Sequence, residues 1–501
     1  MKERVLEEKF VNKDIHGKEY SRMLLIIAMM IGSFVSILNQ TVLSTALPQI
    51  MEFFNITAST GQWLTTAFML VNAIMIPLTV LLLEKISTKK LFMFSMFMFG
   101  IGTIICAFSS SFEVLLIGRI IQAVGAGITA PLISTVLLLI FPPEKRGSAM
   151  GLYGLVVCFA PAIGPTLAGL IIDKWNWHYL FYMLIPIIVL DIIFTAFFMK
   201  DVIPLRNPKI DFLSIILSTV GFGAMLFGFS SAGNKGWSDI SVIGTIIIGI
   251  VVIALFVWRQ LAMETPMLEM RVFKSRTFTM TTIIGSILSI VSIGAGIMVP
   301  IFLQSILGKS AFTSGLVLLP GALIMAVMML ISGRLFDKHG VKKLAIPGII
   351  LLVIGTLPFV NLNRNTSIMS ITLLYAIRYI GIALAIMPLQ TAAMNALPDK
   401  LLAHGSAVVN TAKQVAGALG TAMLITVMSN VSASNAPVKA LAKTNMELYK
   451  SVMLDAALKG MNTTFMVVTG IAVLCLVISF FLNDKKQNSD IIKNDTEQQV
   501  A

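Results

Sequence analysis

Long apolar runs, broken by short polar segments, repeat along the whole chain. A membrane-crossing helix needs about 20 mostly apolar residues. On that rule spans are expected near 23–47, 60–83, 90–110, 113–140, 148–172, 179–199, 212–232, 240–261, 278–305, 312–335, 341–361, 367–396, 403–429 and 461–482. The pattern predicts an all-α integral membrane protein with about 14 transmembrane helices. Residues 430–460, with Asn430, Ser432, Asn435 and Pro437, are too polar to span and read as one long extracellular loop.

Lysine and arginine in the short loops orient the spans. Alternate loops hold Lys85/Lys89/Lys90, Lys145/Arg146, Lys200/Arg206/Lys209, Arg271/Lys274/Arg276 and Lys338/Lys342/Lys343, while the intervening short loops hold only Lys174, Lys235, Lys309 and Arg364. The first set is expected in the cytoplasm, together with tails at 1–22 and 483–501.

Three features recur at nearly one offset. Glu84-Lys85 pairs with Asp337-Lys338, Arg119 with Arg378, and Gly147-Ser148-Ala149 with Gly405-Ser406-Ala407, at separations of 253, 259 and 258 residues. The repeat predicts two six-helix bundles, 23–199 and 278–482, with two inserted helices at 212–261. Two such halves with a site between them suit a rocking carrier.

Composition narrows the function. Only 12% of the 501 residues are charged, against about 25% in soluble domains. The net charge of +13 sits in short loops and tails, without a basic aromatic face, so nucleic acid is not an expected partner. No phosphate-binding Gly-x-x-x-x-Gly-Lys-Ser/Thr occurs, which argues against ATP-driven pumping. Cys106, Cys158 and Cys475 lie in apolar runs and the four histidines are scattered, so neither a metal site, a cofactor nor catalytic residues are expected.

The fifth span carries the most distinctive pattern. Gly154, Pro161, Gly164, Pro165 and Gly169 punctuate it, and Ala160, Gly164 and Ala168 form a strip of small residues. Such a strip admits close helix packing, and the prolines remove backbone donors, so a sliding contact between the halves is expected there. Gly164-Pro165-x-x-Ala168-Gly169 is similar to the antiporter signature of the major facilitator superfamily. Arg119-x-x-Gln122-x-x-Gly125 resembles its fourth-span motif, and Gly333 through Asp337, Lys338, Gly340 and Lys342 resembles its cytoplasmic loop motif. Leu38 to Pro48 resembles the first-span signature of the 14-span drug:proton antiporters of the EmrB/QacA type. The resemblance implies drug or metabolite export in exchange for protons. It also implies a cytoplasmic gate at Glu84, Lys85, Gly333, Asp337, Lys338, Gly340 and Lys342. Val80 and Ser87 stand where that family usually has glycines, and Asn39 where many of its members carry an aspartate.

Charges within spans persist only with a partner or a water-filled cavity. Arg119, its counterpart Arg378, and Asp191 are therefore candidates for the cavity and for proton coupling, joined by Asn39, Gln40 and Gln122. Asp191 is the most centrally placed acid, and a carboxyl group in that setting suits proton pick-up and release. Gln62, Asn72, Gln304 and Gln390 are candidate substrate-lining residues, and Lys413 is expected in packing or at the gate. The expected activity is proton-coupled efflux of amphipathic, often cationic, small molecules from the cytoplasm by alternating access, with antibiotic resistance as its outcome. The alternative is export of an endogenous lipid or metabolite without protons. A membrane-embedded enzyme lacks the clustered acids and histidines it needs, and a channel lacks rings of charge.

Overall fold

The computed structural model describes residues 13–56, 58–205, 211–437 and 445–482, apart from a few side chains within the helices, among them that of Gln62. Residues 1–12 and 483–501 of the expected tails lie outside the described residues. The described residues form fourteen long helices: α1 (Arg22–Phe54), α2 (Ala58–Lys85), α3 (Thr88–Ala107), α4 (Phe112–Ile140), α5 (Arg146–Lys174), α6 (Tyr179–Phe198), α7 (Phe212–Lys235), α8 (Ile240–Ala262), α9 (Arg276–Ile301), α10 (Ala311–His339), α11 (Lys342–Thr356), α12 (Ile368–Asn395), α13 (Leu402–Ser434) and α14 (Met446–Ser479). All fourteen contain a stretch long and apolar enough to cross a membrane. Helices prevail because each backbone donor must find its acceptor within its own segment when water is absent.

The helices begin where the apolar runs begin, on side-chain caps. Ser21, Ser111, Ser275 and Ser310 accept from the backbone N–H groups of Leu24, Val114, Phe278 and Thr313 at the starts of α1, α4, α9 and α10. Each such cap stabilises its helix by about 1 kcal/mol. Prolines inside α2, α4, α5, α6 and α9 to α12 leave these helices unbroken. After Pro300 the chain makes one π-helical turn, Phe302–Ile306.

Helices α1–α6 and α9–α14 pack in the same pattern. In the first half α3 lies on α4, α2 on α4 and α1 on α5; in the second α11 lies on α12, α10 on α12 and α9 on α13. The inserted α7 and α8 form a hairpin pinned by a two-pronged Arg259–Asp211 pair at 2.8 and 3.0 Å. The bonds from Arg259 hold the Asp211 carboxyl at about 2, below the usual carboxylate range. Helix α7 rests on both α2 and α13, so the insertion flanks the seam between the halves.

The polar stretch expected to loop over 430–460 is a shorter connection. Helix α13 runs on to Ser434 and α14 starts at Met446, so both helices carry their polar ends beyond the apolar zone. Polarity ends the membrane crossing, but it does not end a helix.

Candidate functional site

The two halves are bound most closely where α5 begins and α10 ends, the end of the molecule bearing the basic loops. The first N–H groups of a helix lack intrahelical partners and attract anions. Asp337, near the end of α10, meets that need across the seam. Its Oδ1 accepts from the Gly147 N–H at 2.9 Å, and its Oδ2 from the Ser148 N–H at 2.9 Å and hydroxyl at 2.5 Å. The approach depends on glycine. A Cβ on Gly333 would fall inside van der Waals contact of the Gly147 carbonyl, and one on Gly151 would lie 2.8 Å from the Met329 carbonyl oxygen.

Three further bridges cross the seam at this end. Buried Arg146 donates to the Leu138 carbonyl at 2.8 Å and pairs with Asp399 of the other half at 2.8 Å. Its remaining nitrogen reaches the Asn395 amide oxygen at 3.5 Å. The hydroxyls of Ser134 on α4 and Ser406 on α13 lie 2.5 Å apart. Glu84, at the end of α2, approaches His404 at 3.7 Å, and the His404 ring accepts from the Glu269 N–H at 3.1 Å. The apolar core follows the same division. The first half's core continues into Met329, Met394, Leu397 and Leu402 at the basic end, whereas Leu288, Leu352, Ile382 and Phe465 belong to a separate core.

The pseudo-symmetric crossing of α2 with α13 lacks the tight carboxylate cap. Val80 and Ser87 occupy the positions equivalent to Gly333 and Gly340. Val80 puts a buried side chain where Gly333 has none, and Gly340 closes α10 with a φ of 80° that serine rarely adopts. Glu84 correspondingly meets a histidine side chain where Asp337 meets a helix terminus.

Among the described residues, four side chains of the Asp, Glu, Lys and Arg types sit well inside the spans. Arg119 is 1% exposed. It donates to Gln122 Oε1 at 2.8 Å and to the Leu64 carbonyl at 3.5 Å, and its guanidinium lies 4.2 Å from the centroid of the Phe68 ring. Gln122 passes the chain on to the Thr103 hydroxyl at 2.8 Å. Asp191 on α6 is fully buried, and neither of its oxygens has a partner among the described residues. Its carboxylate lies over Gly32 of α1, in the space a side chain there would fill, beside Phe92 and Met96 of α3. Thr195, one turn along, has an equally unpartnered hydroxyl. Arg378 is buried, donates to the Val291 carbonyl, and leaves Nε and Nη1 without partners among the described residues. Lys413 on α13 donates to Gln390 Oε1 at 2.7 Å.

The other candidates fall in several places. Asn39 is fully buried with both amide atoms unpartnered among the described residues. Gln40 and Asn72 are half-buried on α1 and α2, and the Gln62 side chain is outside the described residues. Gln304 is exposed on the π-helical turn with which the span begun by α9 ends at Ile306. At the basic end Lys85 is half-buried and Lys338 exposed. Lys342 binds the Phe480 carbonyl at 2.9 Å, which ties α11 to the last helix within its own half.

One expectation is corrected by these positions. The strip Ala160–Gly164–Ala168 faces the first half's own interior: Gly164 packs on Thr41 and Leu38 of α1. The contact between halves uses Gly147, Gly151 and Gly154 instead, against Asp337, Gly333 and Met329. Pro161 and Pro165 are half-buried, and a side chain at Gly169 would meet open space. Lys413, eleven residues into α13, bonds Gln390 and takes no part in the seam's bridges. The sequence alone does not place Arg146, Asp399, Ser134, Ser406 and His404 at a common seam. The Gly-Ser-Ala repeat at 147 and 405 was the signal that leads to them, because both copies open at the seam.

Two apolar-spanned halves bridged at one end and flanked by an inserted hairpin define a membrane carrier, and the comparisons give its family. Residues 29–421 match the sequence profile of the Major Facilitator Superfamily, to which this chain belongs. It is a multi-pass membrane transporter, not an enzyme. The chain is 45% identical to the MFS-type transporter YcnB of Bacillus subtilis over 96% of its length and 99% of that protein's. It is 40% identical to the lincomycin resistance protein LmrB of Listeria innocua, covering 94% and 98% of the two chains. Among solved structures, the proton:xylose symporter XylE has the same fold, with a TM-score of 0.61 at 14% identity over 93% of this chain and 96% of that one.

Proposed function

We propose that the protein exports small amphipathic molecules across the cytoplasmic membrane by alternating access, with protons moving the other way. The observation that carries this reading is the one-sided closure. Four polar bridges and a shared apolar core join the halves at the basic end. Excess lysine and arginine assign that end, with both termini and the Asp337 gate, to the cytoplasm. The form described is then closed to the cytoplasm, the state in which a carrier releases its cargo outward. The resistance named for LmrB supports export of drug-like molecules.

Proton coupling is assigned to Asp191. Asn39 does not titrate, and Asp191 is the one acid placed well inside a span among the described residues. A carboxyl group enclosed by α1, α3 and α6 without a partner gains a proton when dry, and loses it when a shift of α1 admits water. Asn39 favours the second reading, export of an endogenous metabolite without protons. Liposomes holding the protein under an imposed pH gradient separate the two, with protein-free liposomes as the blank. Gradient-driven movement of rhodamine 123 or fluorescein is expected for the wild type, falling to the blank in Asp191→Asn. Equal movement with and without the gradient contradicts coupling, and an active Asp191→Asn variant removes the role from that residue.

A further inference from the structure

We infer that the transported molecule carries an oxyanion, a carboxylate, phosphate or sulfonate, which Lys413 and Gln390 bind in the middle of the membrane. The inference takes from the export reading that the space between the halves is the substrate path. It departs from the often cationic cargo expected from the sequence.

Lys413 lies eleven residues into α13, roughly 17 Å along its axis at 1.5 Å per residue. That is about half the thickness of the hydrocarbon core. Unlike Arg119 and Arg378, Lys413 is only partly buried. Its stem lies 3.6 Å from where a side chain on Gly285 of α9 would begin, so α9 gives it a flat wall.

The hydrogen-bond inventory then points one way. An ammonium group has three donors and no acceptor. One donor is spent on Gln390 Oε1, and no carboxylate pairs with Lys413 among the described residues. Because lysine only donates, the Gln390 amide must turn its oxygen toward Lys413. Its NH2 group is thereby left outward with no protein partner among the described residues. Two ammonium donors and an amide NH2 on neighbouring helices, bonded to no acceptor among the described residues, form a site complementary to the oxygens of an anion.

The wider charge balance agrees. Of the ionisable side chains well inside the described spans, Arg119, Arg378 and Lys413 are cationic and only Asp191 is acidic. Asp191 is enclosed between α1 and α3 of the first half, so among the described residues the charge well inside the second half's spans is positive. In this weakly screened setting a cationic cargo meets repulsion there, and an anionic one meets attraction.

Binding of fluorescein and rhodamine 123, xanthene dyes of similar shape and opposite charge, tests the assignment. Fluorescence anisotropy would be read on purified full-length protein in lipid nanodiscs, for wild type, Lys413→Arg and Lys413→Met. The wild type is expected to bind fluorescein at least about tenfold more tightly than rhodamine 123, as befits a charge-assisted hydrogen bond. Lys413→Met loses that preference, Lys413→Arg keeps it, and rhodamine binding persists in both as a check on folding. Equal affinity for the two dyes, a preference for rhodamine, or undiminished fluorescein binding in Lys413→Met overturns the inference. Charge-selective binding without dye movement in the liposomes would instead leave the anion site standing and remove the export reading.

Discussion

Gly333→Val is expected to abolish transport while leaving the protein inserted and folded. Gly333 sits where α10 crosses α5, and the nearest atoms to any added Cβ are backbone atoms of Gly147 and Gly151. Backbone yields far less readily than the end of a flexible side chain, so the crossing must open. Asp337 would then draw away from the Gly147 and Ser148 donors, which it holds at 2.5–2.9 Å. Hydrogen bonds to a charged group contribute about 1.5–3 kcal/mol each, so loss of even two shifts the closing equilibrium by roughly 100-fold. Gly147→Val should give the same defect from the other side of the crossing. Gly244→Val on the peripheral α8, where an added Cβ meets nothing within 4 Å, should transport normally. Transport assays in liposomes, with size-exclusion profiles to monitor folding, check all three. Wild-type rates for Gly333→Val would show that the α5–α10 contact is not needed for turnover.

Arg119→Ala is the second large expected effect, at roughly 100-fold or more in transport rate. The guanidinium joins Gln122, the Leu64 carbonyl and the Phe68 face in one arrangement. Its removal deletes a charge-assisted bond of about 1.5–3 kcal/mol and a desolvated cation–π contact of about 2 kcal/mol. It also leaves the Gln122 oxygen buried without its charged donor. Arg119→Lys should not rescue, because an ammonium group lacks the planar fork that spans two acceptors and stacks on a ring. Transport within twofold of wild type in Arg119→Ala would reduce this cluster to helix packing.

The sequence carried the spans plainly, since crossing hydrocarbon demands long apolar runs whatever the tertiary packing. It also carried the repeat, because equivalent positions in two similar halves face equivalent constraints: Gly147 and Gly405 both open helices at the seam. Asp191 and Arg119 were legible as charges with nowhere polar to go. The partner of a close-packing face was not. Small residues every four positions make a smooth strip, but nothing local says whether α1 or α10 lies on it. The seam's bridges were hidden for a similar reason, as Arg146–Asp399 and Ser134–Ser406 join residues 253 and 272 positions apart. Polar composition does not mark a loop at 430–460, where α13 continues to Ser434 and α14 starts at Met446.

Alternating access requires the halves to separate at the basic end during each cycle, and the Ser134–Ser406 contact offers a direct handle on that motion. The two hydroxyls lie 2.5 Å apart, one in each half. With Cys106, Cys158 and Cys475 replaced by serine, a Ser134→Cys/Ser406→Cys protein should form a disulfide on mild oxidation. Transport should stop as the bond forms and return on reduction, since a tethered seam holds the carrier closed to the cytoplasm. A fully cross-linked protein that transports as fast as its reduced form would contradict alternating access through this seam.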